Sequence, residues 1–188
     1  MKKMFVFSLF PVDINTHTGG QARLKSLLVE LSKNLDCIIH HLCVFGEHPQ
    51  IRTRVVLDRV KETWIPSNTK DDLNYINERF EYMNTDLVSG CQLFENVHLK
   101  EFLSENVDQN TKLIATHFWF APVLNEYLEN TKILFSHNFE SDFLTNSPSS
   151  KNFDKFYKTK EKENVNSFDI IFCCSKIDQD KYSRIVDK

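Results

Sequence analysis

The sequence predicts an α/β fold: a doubly wound, mostly parallel sheet with helices on both faces. Three observations carry that expectation. Short apolar runs alternate along the chain with stretches whose leucines and aromatics recur at helical spacing. The runs are apolar at successive positions rather than at every second one, as strands buried on both faces require. Strand-like and helix-like segments follow one another with no internal repeat and no linker, which is the order of βα units.

Met4–Phe10 (MFVFSLF) reads as the first strand, rich in β-formers. Lys2 and Lys3 ahead of it imitate a secretory signal, but no A-x-A cleavage site follows. The loop Pro11–Thr18 ends at Gly19-Gly20. Beyond it Leu24, Leu27, Leu28, Leu31 and Leu35 make one apolar helix face. Cys37–Phe45 is the next strand, and Val55–Ile65 is a weaker one closed by Pro66-Ser67-Asn68. Asp71–Asp86 and Leu93–Leu103 read as helices. Lys112–His117 is a strand, and Ala121–Glu129 is a short helix with Pro122 in its first turn, where a missing N–H costs least. Lys132–Ser136 (strand), Lys151–Asn166 (charged helix), Asp169–Cys174 (strand) and Ser175–Val186 (helix) complete the order.

At 188 residues the chain is expected to form a single domain, 1–188. With 41% hydrophobic and 26% charged residues its composition is that of a globular protein. The net charge of −3 disfavours a nucleic-acid partner. Five cysteines without C-x-x-C spacing are expected to be reduced and mostly buried, in a cytoplasmic, reducing compartment. No apolar run approaches the roughly 18 residues of a membrane span.

In an open parallel sheet, ligands bind beyond the carboxyl ends of the strands. Four polar groups follow strands here: Gly19-Gly20 with Arg23 one turn on, His117, His137-Asn138-Phe139-Glu140, and Ser175. The Gly-Gly turn opens a helix, whose free N–H groups and dipole suit an anion; a plain turn capped by Thr18 is the alternative. His137, Asn138 and Glu140 suit hydrogen bonds to a polyol, and His137 and Glu140 also suit proton transfer as acid and base. His117 stands beside Phe118, Trp119 and Phe120, which fit core packing better than a sugar face. Ser175-Lys176-Ile177-Asp178 reads as a capping box, which explains Asp178 and Asp180 better than a metal-binding D-x-D does. The alternating cysteines and histidines of Cys37–Cys43 read as a packed strand rather than a zinc site. G-x-G-x-x-G and G-x-x-x-x-G-K-[ST] are both missing, which disfavours a dinucleotide enzyme and a P-loop NTPase.

Taken together, TGGQARLKSLLVEL, FSHNFE and FDIIFCCSKIDQD resemble three ordered motifs of the family 4 glycosyltransferases. The first is commonly G-G-[AV]-[EQ]-R there; here Gln21 follows the glycines and Ala22 precedes Arg23. The resemblance implies the N-terminal, acceptor-side domain of a GT-B enzyme, one of two Rossmann-like domains facing a cleft. It implies a retaining transfer of sugar from a nucleotide-sugar to a glycan or lipid-linked acceptor, in bacterial surface polysaccharide synthesis, without a metal cofactor. Gly19 and Gly20 would then approach donor phosphates or acceptor, and His137 would contact the transferred sugar. The donor-binding domain, with its E-x7-E motif, is expected outside these residues, so this chain alone is expected to be inactive. Peripheral attachment at the inner membrane face is compatible with that role. A stand-alone, non-catalytic module binding a partner protein or a glycan is the alternative.

Overall fold

The computed structural model describes residues 2–12, 19–44, 50–66, 96–139, 141 and 151–187. The expected helix Asp71–Asp86, Thr18, Cys91 and Glu140 lie outside the described residues, as do parts of the loop Pro11–Thr18 and of the expected helix Leu93–Leu103.

The elements are β1 (Lys2–Ser8), α1 (Gly19–Asn34), β2 (Cys37–Val44), β3 (Arg52–Leu57), β4 (Val60–Ile65), α2 (Val97–Asn106) and β5 (Lys112–Ala115). A 3₁₀ turn at Phe118–Phe120 then leads into α3 (Ala121–Leu124), followed by β6 (Lys132–Ser136), α4 (Lys151–Val165), β7 (Ile170–Cys173) and α5 (Lys176–Ile185). The strands form one sheet in the order β3-β4-β2-β1-β5-β6-β7. Every neighbouring pair is parallel except β3 and β4. The fold is therefore the α/β, Rossmann-like arrangement expected.

Alternate side chains of a strand point to opposite faces, and here both faces are covered. Met4 and Val6 of β1 pack with Leu24 and Leu28 of α1 on one face. Phe5 and Phe7 pack on the other, with Leu99 and Leu103 of α2, Tyr157 of α4 and Tyr182 of α5. Each fully buried side chain of this size contributes about 1.5–3 kcal/mol. Phe118, Trp119 and Phe120 are all buried, with Trp119 against Tyr157 at 4.8 Å between ring centroids, so the aromatic run belongs to the core.

The structure differs from expectation in four places. Val55–Ile65 is not one strand but the end of the first arm, the turn and the second arm of a hairpin, because Asp58-Arg59 breaks the apolar run and Arg59 turns the chain at φ 61°. The first arm, β3, is a polar sheet edge. β5 ends two residues before His117, where the N–H and hydroxyl of Thr116 both donate to the Phe7 carbonyl at 3.0 Å. The helix expected over Ala121–Glu129 closes at Leu124. Cys37 and Cys43 are buried, whereas Cys173 is half-buried and Cys174 exposed; all four are free thiols. No helix among the described residues is long and apolar enough to cross a membrane.

Candidate functional site

From β1 the sheet is built outward to β2 and β4, and then resumes on the other side of β1 at β5. Loops leaving the carboxyl ends of β1 and β5 therefore part in opposite directions and open a crevice at this switch point. Four groups of residues reach that edge: the start of α1, Thr116-His117 after β5, His137-Asn138 after β6, and Ser175 after β7.

Arg23 ties two of them together. Its Nη1 donates to the His137 carbonyl at 2.6 Å, joining α1 to the end of β6 across the crevice. The rings of His117 and His137 meet edge to face, 5.7 Å apart at 64°. Phe10 lies 6.1 Å from His117, and Phe135 lies 6.0 Å from His137. Thr116 Oγ1, which gives its proton to Phe7, stands 2.9 Å from His117 Nδ1. That oxygen can then only accept, which places the His117 proton on Nδ1 and the lone pair on Nε2.

His137 is 6% exposed, and its Nδ1 has no hydrogen-bond partner among the described residues. Burial, reinforced by the Arg23 charge, lowers its pKa from 6.5 to about 4. Burial, then the His137 charge, lowers that of His117 to about 3. Both rings are neutral near pH 7. A base this weak is poorly matched to proton transfer at neutral pH. What His137 offers is a fixed, neutral hydrogen-bonding group inside a crevice, which suits a hydroxyl.

The end of β6 is held rigidly. The Ser136 hydroxyl donates to the Asn138 carbonyl at 2.5 Å and lies 2.8 Å from the Tyr182 hydroxyl. The Phe139 N–H donates to Asp178 Oδ1 at 3.1 Å. Asn138 itself is exposed at the rim. Glycines 19 and 20 open α1 without positive φ, and among the described residues a Cβ added to either meets nothing within 4 Å.

Ser175 is placed at the edge, but its hydroxyl serves its own helix. It accepts from the Asp178 N–H at 3.0 Å and donates to Asp178 Oδ2 at 2.6 Å. Asp180 pairs with Lys176 at 3.0 Å. Both acids of the D-x-D are thus engaged, as the capping reading expects. Among the described residues no group of three His, Cys, Asp or Glu is arranged to hold a metal ion. Sequence reasoning missed Phe10 and Phe135, since aromatics in an apolar strand carry no mark of a site. It also missed the buried acids Glu62 and Glu161, although a lone acid inside VKETWI is a signal that was available.

No family model matches this sequence, and no curated protein sequence does. Solved structures do match its fold. An α,α-trehalose-phosphate synthase (UDP-forming) from Burkholderia vietnamiensis is 12% identical, with a TM-score of 0.62 over 97% of this chain and 42% of its own. The synthase from Burkholderia xenovorans in complex with glucose-6-phosphate is 14% identical, with a TM-score of 0.59 over 95% and 41%. The E. coli protein bound with UDP-2-fluoro glucose is 11% identical, with a TM-score of 0.57 over 97% and 42%. The likeness shows a fold shared with GT-B glycosyltransferases, and the chain spans less than half the length of these structures.

Proposed function

We propose that this chain is the acceptor-side domain of a GT-B glycosyltransferase, which moves a sugar from a nucleotide-sugar to a glycan or lipid-linked acceptor. The observation that carries this reading is His137, a buried neutral imidazole whose Nδ1 has no partner among the described residues, set beside His117 and Arg23 at the switch point of the sheet. His137 binds a sugar hydroxyl. The open N-terminus of α1 at Gly19-Gly20 faces phosphate oxygens of donor or acceptor. Arg23 holds the two sides of the crevice in register. Backbone N–H groups and basic residues stabilise the departing diphosphate, so the reading needs no metal. The transfer is retaining. Most donor contacts belong to a second domain outside this chain, and these residues alone turn over no nucleotide-sugar. The proposed setting is bacterial surface polysaccharide synthesis in the cytoplasm, with peripheral membrane attachment.

Titration of the ¹⁵N-glycine-labelled chain with UDP-glucose tests the reading. Gly19 and Gly20 are expected to shift, and His137→Ala is expected to weaken the response about tenfold, the equivalent of one good hydrogen bond. Silence toward both UDP-glucose and the acceptor-type probe glucose-6-phosphate would remove the crevice from consideration. One observation favours the alternative of a non-catalytic module. Ile170 and Phe172 of β7 are 43% and 53% exposed on the α1 face of the sheet, an apolar surface suited to a partner protein.

A further inference from the structure

Outside the crevice, one cluster places charge where an apolar residue would be expected. Glu62 lies inside β4 and is wholly buried. Burial alone would drive its carboxyl neutral. The polar groups around it, His41, the Val12 N–H and Trp64, outweigh that effect and hold its pKa down to about 2. The carboxylate is therefore charged. Oε1 accepts from the Val12 N–H at 2.5 Å and lies 3.3 Å from His41 Nδ1 of β2. Oε2 accepts from Arg54 Nε of β3 at 2.5 Å.

The same Arg54 reaches further. Its Nη2 donates to the Val12 carbonyl at 2.9 Å, and its guanidinium lies over Trp64, 5.2 Å from the ring centroid. Both backbone groups of Val12 are thus held by side chains from β3 and β4, although β2 lies between those strands and β1. Val12 belongs to no strand. It follows the end of β1 and precedes Gly19 in the connection that leads to the crevice. One hydrogen bond would satisfy a buried N–H and leave the residue free to pivot. A second bond, to the carbonyl, fixes its direction.

We propose that Glu62 and Arg54 are positioning residues: they clamp Val12 and so set where the connection after β1 delivers Gly19, Gly20 and Arg23 to the crevice. The consequence for ligand binding rests on the transferase reading above. The clamp itself does not, and it is tested without a ligand.

The chain has four glycines, so ¹⁵N-glycine labelling gives four amide signals, with Gly46 and Gly90 as references. The Arg54 side chain is half exposed, so Arg54→Met removes the guanidinium without opening a cavity. Arg54→Lys keeps the charge but cannot span both Glu62 and the Val12 carbonyl. The expected result is that both variants stay folded and move or broaden the Gly19 and Gly20 signals alike. Both are also expected to weaken UDP-glucose binding about tenfold. Glu62→Gln is expected to act in the same direction. Should Glu62→Gln fail to fold, the two Arg54 variants decide. Unmoved Gly19 and Gly20 signals in the Arg54 variants would overturn the clamp, as would a wild-type spectrum from Arg54→Lys. A wild-type chain that ignores both UDP-glucose and glucose-6-phosphate while its glycine signals respond to Arg54→Met sinks the transferase reading and leaves the clamp standing.

Discussion

The two sides of the crevice are each anchored by a buried carboxylate, and the two carboxylates are satisfied by different chemistry. On the β1–β4 side Glu62 meets the Arg54 guanidinium, the His41 imidazole and the Val12 N–H. On the β6–β7 side Glu161 of α4 is equally buried, but it meets the Ser141 N–H at 2.9 Å, the Ser141 hydroxyl, and the Tyr182 hydroxyl at 3.3 Å. Tyr182 passes the constraint on to Ser136 and Asn138, on either side of His137. An ion pair concentrates the anchoring in one strong contact, and its loss strands charge and dipoles in the interior. Hydroxyls spread it over several weaker bonds whose protons rotate to new acceptors.

The largest expected difference comes from removing each acid. Glu62→Ala is expected to cost about 3 kcal/mol, since it leaves the buried Val12 N–H without its acceptor and Arg54 without its charge partner. Glu161→Ala is expected to cost about 1–2 kcal/mol, because the donors that meet it among the described residues are neutral. Urea unfolding of both variants measures the gap, and equal losses would break the comparison.

Acid should separate the two sides next. The folded pKa of His137 lies below its ordinary 6.5, so the unfolded chain binds the proton first and stability falls as the pH drops from 6.5 toward about 4. At roughly 1.4 kcal/mol per unit this amounts to about 3 kcal/mol at the foot of the window. Glu62 is also depressed, to about 2, so its contribution is present above about 4.5 and is lost only as the pH falls through 2. The β6 side should therefore loosen in mild acid while the Glu62 side holds. His117, lowered to about 3, adds a similar slope over the same range, so thermal unfolding between pH 7 and 4 should show the sum and His137→Gln should roughly halve it.

Smaller effects sharpen the picture. Tyr182→Phe is expected to cost about 1 kcal/mol in urea unfolding and to broaden the Asn138 amide, since one hydroxyl links Ser136 to Glu161. Gly20→Ala is expected to stabilise the chain by up to about 1 kcal/mol, because a methyl there meets nothing among the described residues and alanine favours a helix. The same change should weaken UDP-glucose binding if the open space at α1 is where phosphate lies.

Much of this architecture was readable from local pattern. The leucines of α1 recur at helical spacing because a single face is buried, and Leu24 and Leu28 are the pair that goes deepest. Ser175 reads as a cap because its hydroxyl and the Asp178 N–H are neighbours in any helix that starts there. The placement of His117 and His137 at one edge followed from strand order alone, since parallel strands bring their carboxyl ends together. The hairpin over Arg52–Ile65 was harder to read because an exposed edge strand lacks the apolar run that marks the inner ones.

Sequence by itself thus determined the α/β class, the strand and helix order at the core, the Ser175 cap, and that His117, His137 and Ser175 follow the carboxyl ends of strands. Each of these depends on residues a few positions apart, where covalent geometry leaves few alternatives. Tertiary structure alone decided that Arg23 reaches the His137 carbonyl, that Glu62 takes the Val12 N–H, and that both histidines are neutral. Those contacts join residues from separate strands and helices. Their energies come from burial and from partners that exist only once the sheet has closed.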